Sequence, residues 1–268
     1  MKKKLVSLVL SSGGARGLSH IGVIEALEEK GYEIVSISGS SIGTLVGGIY
    51  AMGKLPQFKE WLMTLKPKDV FQLMDLTWSS GGMMKGERVL NTLKKFIPDQ
   101  PIETFPIPFA AVTTDILNEE EVVFRSGSFY EVVRASIAIP AIFTPVKLKD
   151  NLLIDGGVLN PLPISHLLRI PNDILVVVNL NGKVSASLLE QQKQHSGYFS
   201  LLQHAYFSMR HQLVKLTLEL YKPDVVIDIP RNLSGVWEYH KASSIISEGK
   251  LLALHQLDLL EARNVSHP

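Results

Sequence analysis

From Lys4 to about Val178 the chain alternates short apolar, β-branched runs with longer stretches whose apolar residues recur at helical spacing. That alternation is the pattern of a parallel sheet covered by helices, and it predicts an α/β fold. The first unit is a strand over Leu5–Leu10, a Gly-rich turn, and a helix from about Leu18 to Lys30 that Gly31 can terminate. A second unit follows at once: a strand at 33–38, a serine turn, and a helix from about Ile42 to Met52 that stops near Gly53.

Residues 54–86 break this rhythm. Leu55, Phe58, Trp61, Leu62 and Leu65 lie at helical spacing, and FQLMDLTWSSGGMMKG then mixes large apolar residues with glycines, so the segment is a candidate cap. Prolines 98, 101, 106 and 108 mark an extended connection into a strand over Phe109–Thr114. EEVVFRSG reads as a further strand, FYEVVRASIAIPAIF as a helix broken by Pro140, LKDNLLIDGG as a hairpin-like strand entering a tight turn, and DILVVVNL as a buried strand. Beyond Asn181 the pattern is mostly helical, with one late strand at Asp224–Ile229. The expected organisation is one domain over 4–180, with a mainly helical extension over 181–268 packed on it.

The 268 residues, 46% of them hydrophobic, suffice for one sizeable core. Lys and Arg number 27 against 26 Asp and Glu, so no net field draws the protein toward nucleic acid or an anionic membrane. The absence of cysteine excludes a disulfide framework, a thiolate metal site and a cysteine nucleophile. It suits a reducing compartment, and a cytoplasmic location is expected. The start, MKKKLVSLVLSSGGARG, has the layout of a secretory signal. The run Leu5–Leu10 is, however, interrupted by a serine and falls short of the roughly 7–15 apolar residues of a signal core, so a buried first strand is expected. No stretch approaches the roughly 20 apolar residues of a membrane span.

The candidate chemistry lies in the turns. In EIVSISGSSIGTLVGG, Gly39 and Gly43 stand two residues to either side of Ser41 at a strand-to-helix junction. A nucleophile on such a turn has its hydroxyl held out from the backbone, and the flanking glycines remove Cβ atoms that would block the close approach of strand and helix. The plain alternative is an ordinary Gly-rich turn. Ser12-Gly13-Gly14-Ala15-Arg16-Gly17 follows the first strand and opens a helix, so its N–H groups can form an anion-binding nest for a developing oxyanion, with Arg16 adding a permanent charge. Nucleotide phosphate is the competing ligand, but the glycines do not spell G-x-G-x-x-G and no P-loop Lys-Ser/Thr pair follows.

Serine needs a base. His20 falls within the first helix, and His195, His204 and His211 fall in the polar C-terminal region, where structural or solvated roles are the ordinary ones. Asp155 ends an apolar strand in the turn Ile154-Asp155-Gly156-Gly157, where it is either the base or an aspartate accepting its own loop N–H groups.

SSGGARG after the first strand, GSSIG after the second and DGG further on resemble, in that order, the patatin-like phospholipase family. VTTDIL at 112–117, RASIAIPAIFTPV at 134–146 and DGGVLNPLP at 155–163 are similar to that family as well. The resemblance covers roughly residues 4–180, and Ser12 stands where many members carry a further glycine. It implies a three-layer α/β/α sandwich with a mostly parallel sheet. It also implies a two-residue catalytic machine of Ser41 as nucleophile and Asp155 as base, with the oxyanion site at Gly13, Gly14, Ala15 and Arg16.

The expected function is hydrolysis of acyl esters of lipids, of the phospholipase A, lysophospholipase or esterase type, through an acyl-enzyme and without metal or cofactor. The alternatives are a non-catalytic regulatory or scaffold protein of the same fold, and an esterase using His166 as base. Phe58, Trp61, Leu62, Phe71, Leu73 and Trp78 either line an acyl channel or fill core, and core filling is their more ordinary role. The expected partner is a lipid or acyl-ester substrate, with transient membrane-surface contact left open and nucleic acid not expected.

Overall fold

A computed structural model describes residues 4–73, 75–79, 82–184 and 198–266. The chain opens with β1 (Lys4–Leu10), a 3-10 turn over Gly14–Leu18, and α1 (Ser19–Glu29). Then come β2 (Tyr32–Ser40), α2 (Ile42–Ala51), α3 (Leu55–Thr64) and α4 (Pro67–Leu73). A small antiparallel hairpin of β3 (Leu76–Ser79) and β4 (Gly82–Met84) leads into α5 (Glu87–Leu93). β5 (Phe109–Asp115), β6 (Glu120–Phe124), α6 (Phe129–Ser136), β7 (Val146–Leu148) and β8 (Asn151–Asp155) follow. The chain ends with β9 (Ile174–Gly182), α7 (Tyr198–Tyr221), β10 (Val225–Pro230) and α8 (Ala242–Ser266).

The main sheet runs β10-β9-β1-β2-β5-β8-β7, with β6 also paired to β5. β10, β9, β1, β2 and β5 are parallel, while β6 and β8 lie antiparallel to β5. Strand period sorts the side chains between two faces. Leu8 and Leu10 of β1 and Val176 and Val178 of β9 join the large core under α1, α2 and α8. Val9, Leu175 and Val177 point the other way, into a smaller cluster with Leu162 and with Val214 of α7. The result is a three-layer α/β/α sandwich with a mostly parallel sheet, as the family resemblance implies and within the α/β class that the alternation of runs predicts.

The C-terminal helix is held by backbone contact. A Cβ on Gly22 would lie 2.0 Å from the Ile246 carbonyl oxygen, and one on Gly249 would lie 2.4 Å from that of Ser19, so each glycine lets the backbones of α1 and α8 meet directly.

Two elements differ from the sequence expectation. α6 ends at Ser136, well before Pro140. Residues past it instead pair with the hairpin, Met84 N–H donating to Ile142 O at 3.0 Å and Thr144 N–H to Met84 O at 2.9 Å. α5 has no counterpart among the expected helices. Its start is capped by Asp75, whose carboxylate accepts from the N–H groups of Gly86, Glu87 and Arg88 at 2.6, 2.8 and 3.1 Å.

Candidate active site

One strand aligns the two loops of interest. β2 and β8 occupy the same edge of β5, since β6 covers the opposite edge. β2 pairs with β5 up to Ser40↔Val112, and β8, running the other way, pairs from Leu153↔Asp115 to Asp155↔Thr113. Their C-terminal ends therefore meet head to head over adjacent residues of β5. Ser41 Oγ donates to Asp155 Oδ2 at 2.5 Å.

The serine turn is strained. Ser41 has φ 56° and ψ −122°, a region that costs a non-glycine residue about 1–3 kcal/mol and persists only when its surroundings impose it. They do so here through close packing. A Cβ on Gly39 would lie 2.5 Å from the Gly43 carbonyl oxygen, and one on Gly43 would lie 2.1 Å from that of Leu10. Ser136, at the end of α6, accepts the Ser41 N–H at 2.9 Å and donates to Val112 O at 2.7 Å, and its Oγ lies 2.8 Å from Thr44 Oγ1. Ser136 falls within the RASIAIPAIFTPV segment, but its supporting position depends on a contact across the fold.

Asp155 is 2% exposed. Its N–H donates to Ala138 O at 3.0 Å, and its Oδ1 accepts from Gly157 N–H at 2.7 Å. The turn aspartate thus accepts its own loop N–H with one oxygen and faces Ser41 with the other. Burial pushes the carboxyl above its ordinary value, opposed by the Ser41 hydrogen bond, the charge of Arg210 and the Gly157 N–H.

Gly13, Gly14 and Arg16 line a cavity with Ser41 and Asp155. Gly14 has φ 59°, and the N–H groups of Gly13 and Gly14 have no hydrogen-bond partner among the described residues. Ala15 departs from the expected donor set, because its N–H is spent on Val236 O at 3.0 Å. Arg16 is 8% exposed and reaches Ser234 O at 3.4 Å through Nη1. Burial, together with the like charges of Arg210 and Arg231, pulls its pKa down to about 10.

Among the described residues no histidine lines either cavity at Ser41. His166 Nε2 lies 2.6 Å from Glu121 Oε2. His20 is buried with Nε2 2.9 Å from Ser11 O, and burial lowers its pKa to about 4, so it is neutral at pH 7. His204 is exposed and His195 lies outside the described residues.

Two chambers meet at the serine, sharing Gly14, Ser41, Ile139 and Val236. The first is apolar, with walls that include Phe58, Trp61, Leu62, Leu73, Val89 and Phe143. Phe58 and Leu62 belong to the main core as well, so lining and core are one role for them. Phe71 is 66% exposed and does not join them, and the Trp78 side chain lies outside the described residues. The second chamber has Arg16, Asp155, Tyr206 and Arg210 in its wall, and sequence reasoning missed Arg210 altogether. Among the described residues no group of acidic, histidine or cysteine side chains could hold a metal, and no helix is long and apolar enough to cross a membrane.

Fold and site together define an α/β protein with a strained serine elbow set against a buried aspartate. The family model for patatin-like phospholipase matches residues 8–168, and the chain belongs to that family. It is 30% identical to an uncharacterized NTE family protein of Mycobacterium tuberculosis, over 96% of this chain and 92% of that protein. It is 32% identical to lysophospholipase NTE1 of Kluyveromyces lactis over 74% of this chain but 14% of that protein. VipD from Legionella pneumophila superimposes with a TM-score of 0.48 at 14% identity, covering 97% of this chain and 67% of that one.

Proposed function

We propose that the protein is a serine hydrolase that cleaves acyl esters of lipids through a Ser41–Asp155 dyad. The observation that carries this reading is the 2.5 Å contact between the two side chains at a strained elbow opening onto an apolar chamber. Family membership and the likeness to a lysophospholipase support a lipid substrate.

Asp155 Oδ2 takes the Ser41 proton as Oγ bonds to the ester carbonyl carbon, and the carbonyl π electrons move onto oxygen. The N–H groups of Gly13 and Gly14 donate to that oxyanion, and the Arg16 charge favours it; each such donor is worth roughly 2.7–4 kcal/mol in comparable sites. The intermediate collapses by breaking the bond to the alcohol oxygen, which leaves with the proton from Asp155. Water, deprotonated by the same carboxylate, then attacks the acyl-enzyme, and the second intermediate collapses to release the fatty acid as Asp155 returns that proton to Ser41 Oγ. Burial that raises the proton affinity of Asp155 makes it a better base than a solvated aspartate.

A fluorophosphonate probe tests the reading directly. Wild type should be labelled at Ser41, while Ser41→Ala should fold normally, resist labelling and show no acyl-enzyme burst on a chromogenic ester. Absence of labelling in the wild type would return the protein to the scaffold alternative.

A further inference from the structure

The second chamber carries more positive charge than an oxyanion site requires. Arg210, on α7, is 5% exposed and packed against two rings of its own helix, 5.5 Å from the Tyr206 centroid and 5.8 Å from that of Phe207. Its Nη2 donates to Ser12 O at 2.9 Å and to Ser12 Oγ. Nε of Arg210 and Nε of Arg16 are both buried without a hydrogen-bond partner among the described residues. The charges acting on Arg16 are those of Arg210 and Arg231, both of its own sign. Arg210 in turn acts on Asp155, a carboxylate already engaged by Ser41 and Gly157.

Two buried guanidinium groups line one chamber and only Arg210 acts on its single carboxylate, which leaves the chamber poised for an anion, because buried charge that is not fully compensated is unfavourable. Guanidinium matches phosphate in geometry as well as sign. The two chambers diverge from Ser41, so an ester whose acyl chain enters the apolar one directs its alcohol portion toward Arg210.

We propose that Arg210, supported by Arg16, binds an anionic phosphate on the alcohol side of the ester, so that the preferred substrates are phosphate-bearing acyl esters rather than neutral glycerides. This rests on the hydrolase reading above and adds a head-group specificity residue from a helix outside the matched family region.

The test compares a 1-acylglycerol with the 1-acylglycerol 3-phosphate of the same chain. Wild type should prefer the phosphate ester. Arg210→Met should lower the ratio of kcat/KM values, phosphate over neutral, by at least about tenfold, chiefly through KM, and Arg210→Lys should recover part of it. Equal losses on both esters would overturn the proposal, because lost support of Ser12 acts on both alike.

Binding of the phosphate ester to Ser41→Ala and to Ser41→Ala/Arg210→Met reads the site without catalysis. Weaker binding to the double variant supports the site even if no ester is hydrolysed, whereas hydrolysis with no discrimination in either assay sinks the site and leaves the hydrolase reading standing. Inorganic phosphate and glycerol 3-phosphate as competitors separate the sources: tight binding of inorganic phosphate with no ester preference would mark a free-phosphate site and refute the head-group assignment.

Discussion

The two chambers meeting at Ser41 are built by opposite means. The apolar one draws its walls from α2, α3 and α5 and their neighbours, and half-buried side chains such as Trp61 and Val89 suffice, because burial of hydrocarbon is non-directional. The charged one depends on a few groups fixed in orientation: Arg16 in the first turn and Arg210 on α7, the latter held by Ser12 and two aromatic rings. Recognition by burial tolerates many sequences, whereas recognition by paired charge requires particular atoms delivered from distant parts of the chain. Ser41 lines both chambers, so under the proposed function reaction and selectivity should separate under mutation.

The largest expected effect falls on the shared centre. Asp155→Asn should lower kcat by about 10⁴-fold on neutral and phosphate esters alike, measured by steady-state hydrolysis, as when other serine hydrolases lose their carboxylate. A loss confined to one ester would mean that Asp155 acts on the head group and not as the base for Ser41.

Narrowing the apolar chamber comes next. Val89→Phe should reduce kcat/KM for long acyl chains relative to short ones by about tenfold, with head-group preference unchanged. Equal loss at every chain length would place the acyl group elsewhere.

The pH profile probes the charged side. Asp155 must be ionised to act as base and its pKa is raised by burial, so the acid limb of kcat/KM should lie above the ordinary aspartate value of about 3.9. Activity is present above that limb and lost as pH falls through it. Arg210→Met removes a charge that favours the carboxylate, so the limb should move to still higher pH; movement downward would contradict the electrostatic coupling.

The smallest effect is expected at His166, whose partner is Glu121: His166→Ala should change kcat/KM by less than about threefold on either ester. A loss comparable to that of Asp155→Asn would favour a histidine base.

Much of this architecture was legible from residue order. The strands at 5–10, 33–38 and 109–114 and the helices after the first two turns follow from hydrophobic period and glycine punctuation, both local properties. The turn carrying Ser41 was readable because its neighbours must lack Cβ atoms wherever strand and helix approach so closely. α5 escaped notice because its cap, Asp75, is supplied by residues before the hairpin rather than by the turn that starts the helix. The pairing of Ala15 N–H with Val236 O and the support of Ser41 by Ser136 were equally invisible, since each joins residues far apart in the chain.

What the sequence alone determined was the set of strands, helices and glycine-flanked turns, because period and backbone permissiveness are written in neighbouring residues. Only the tertiary structure decided that β2 and β8 end on adjacent residues of β5, that Ala15 is not a free donor, and that α7 brings a guanidinium beside Asp155. Those outcomes depend on which distant backbones share a strand edge or a helix face, and no local pattern encodes that choice.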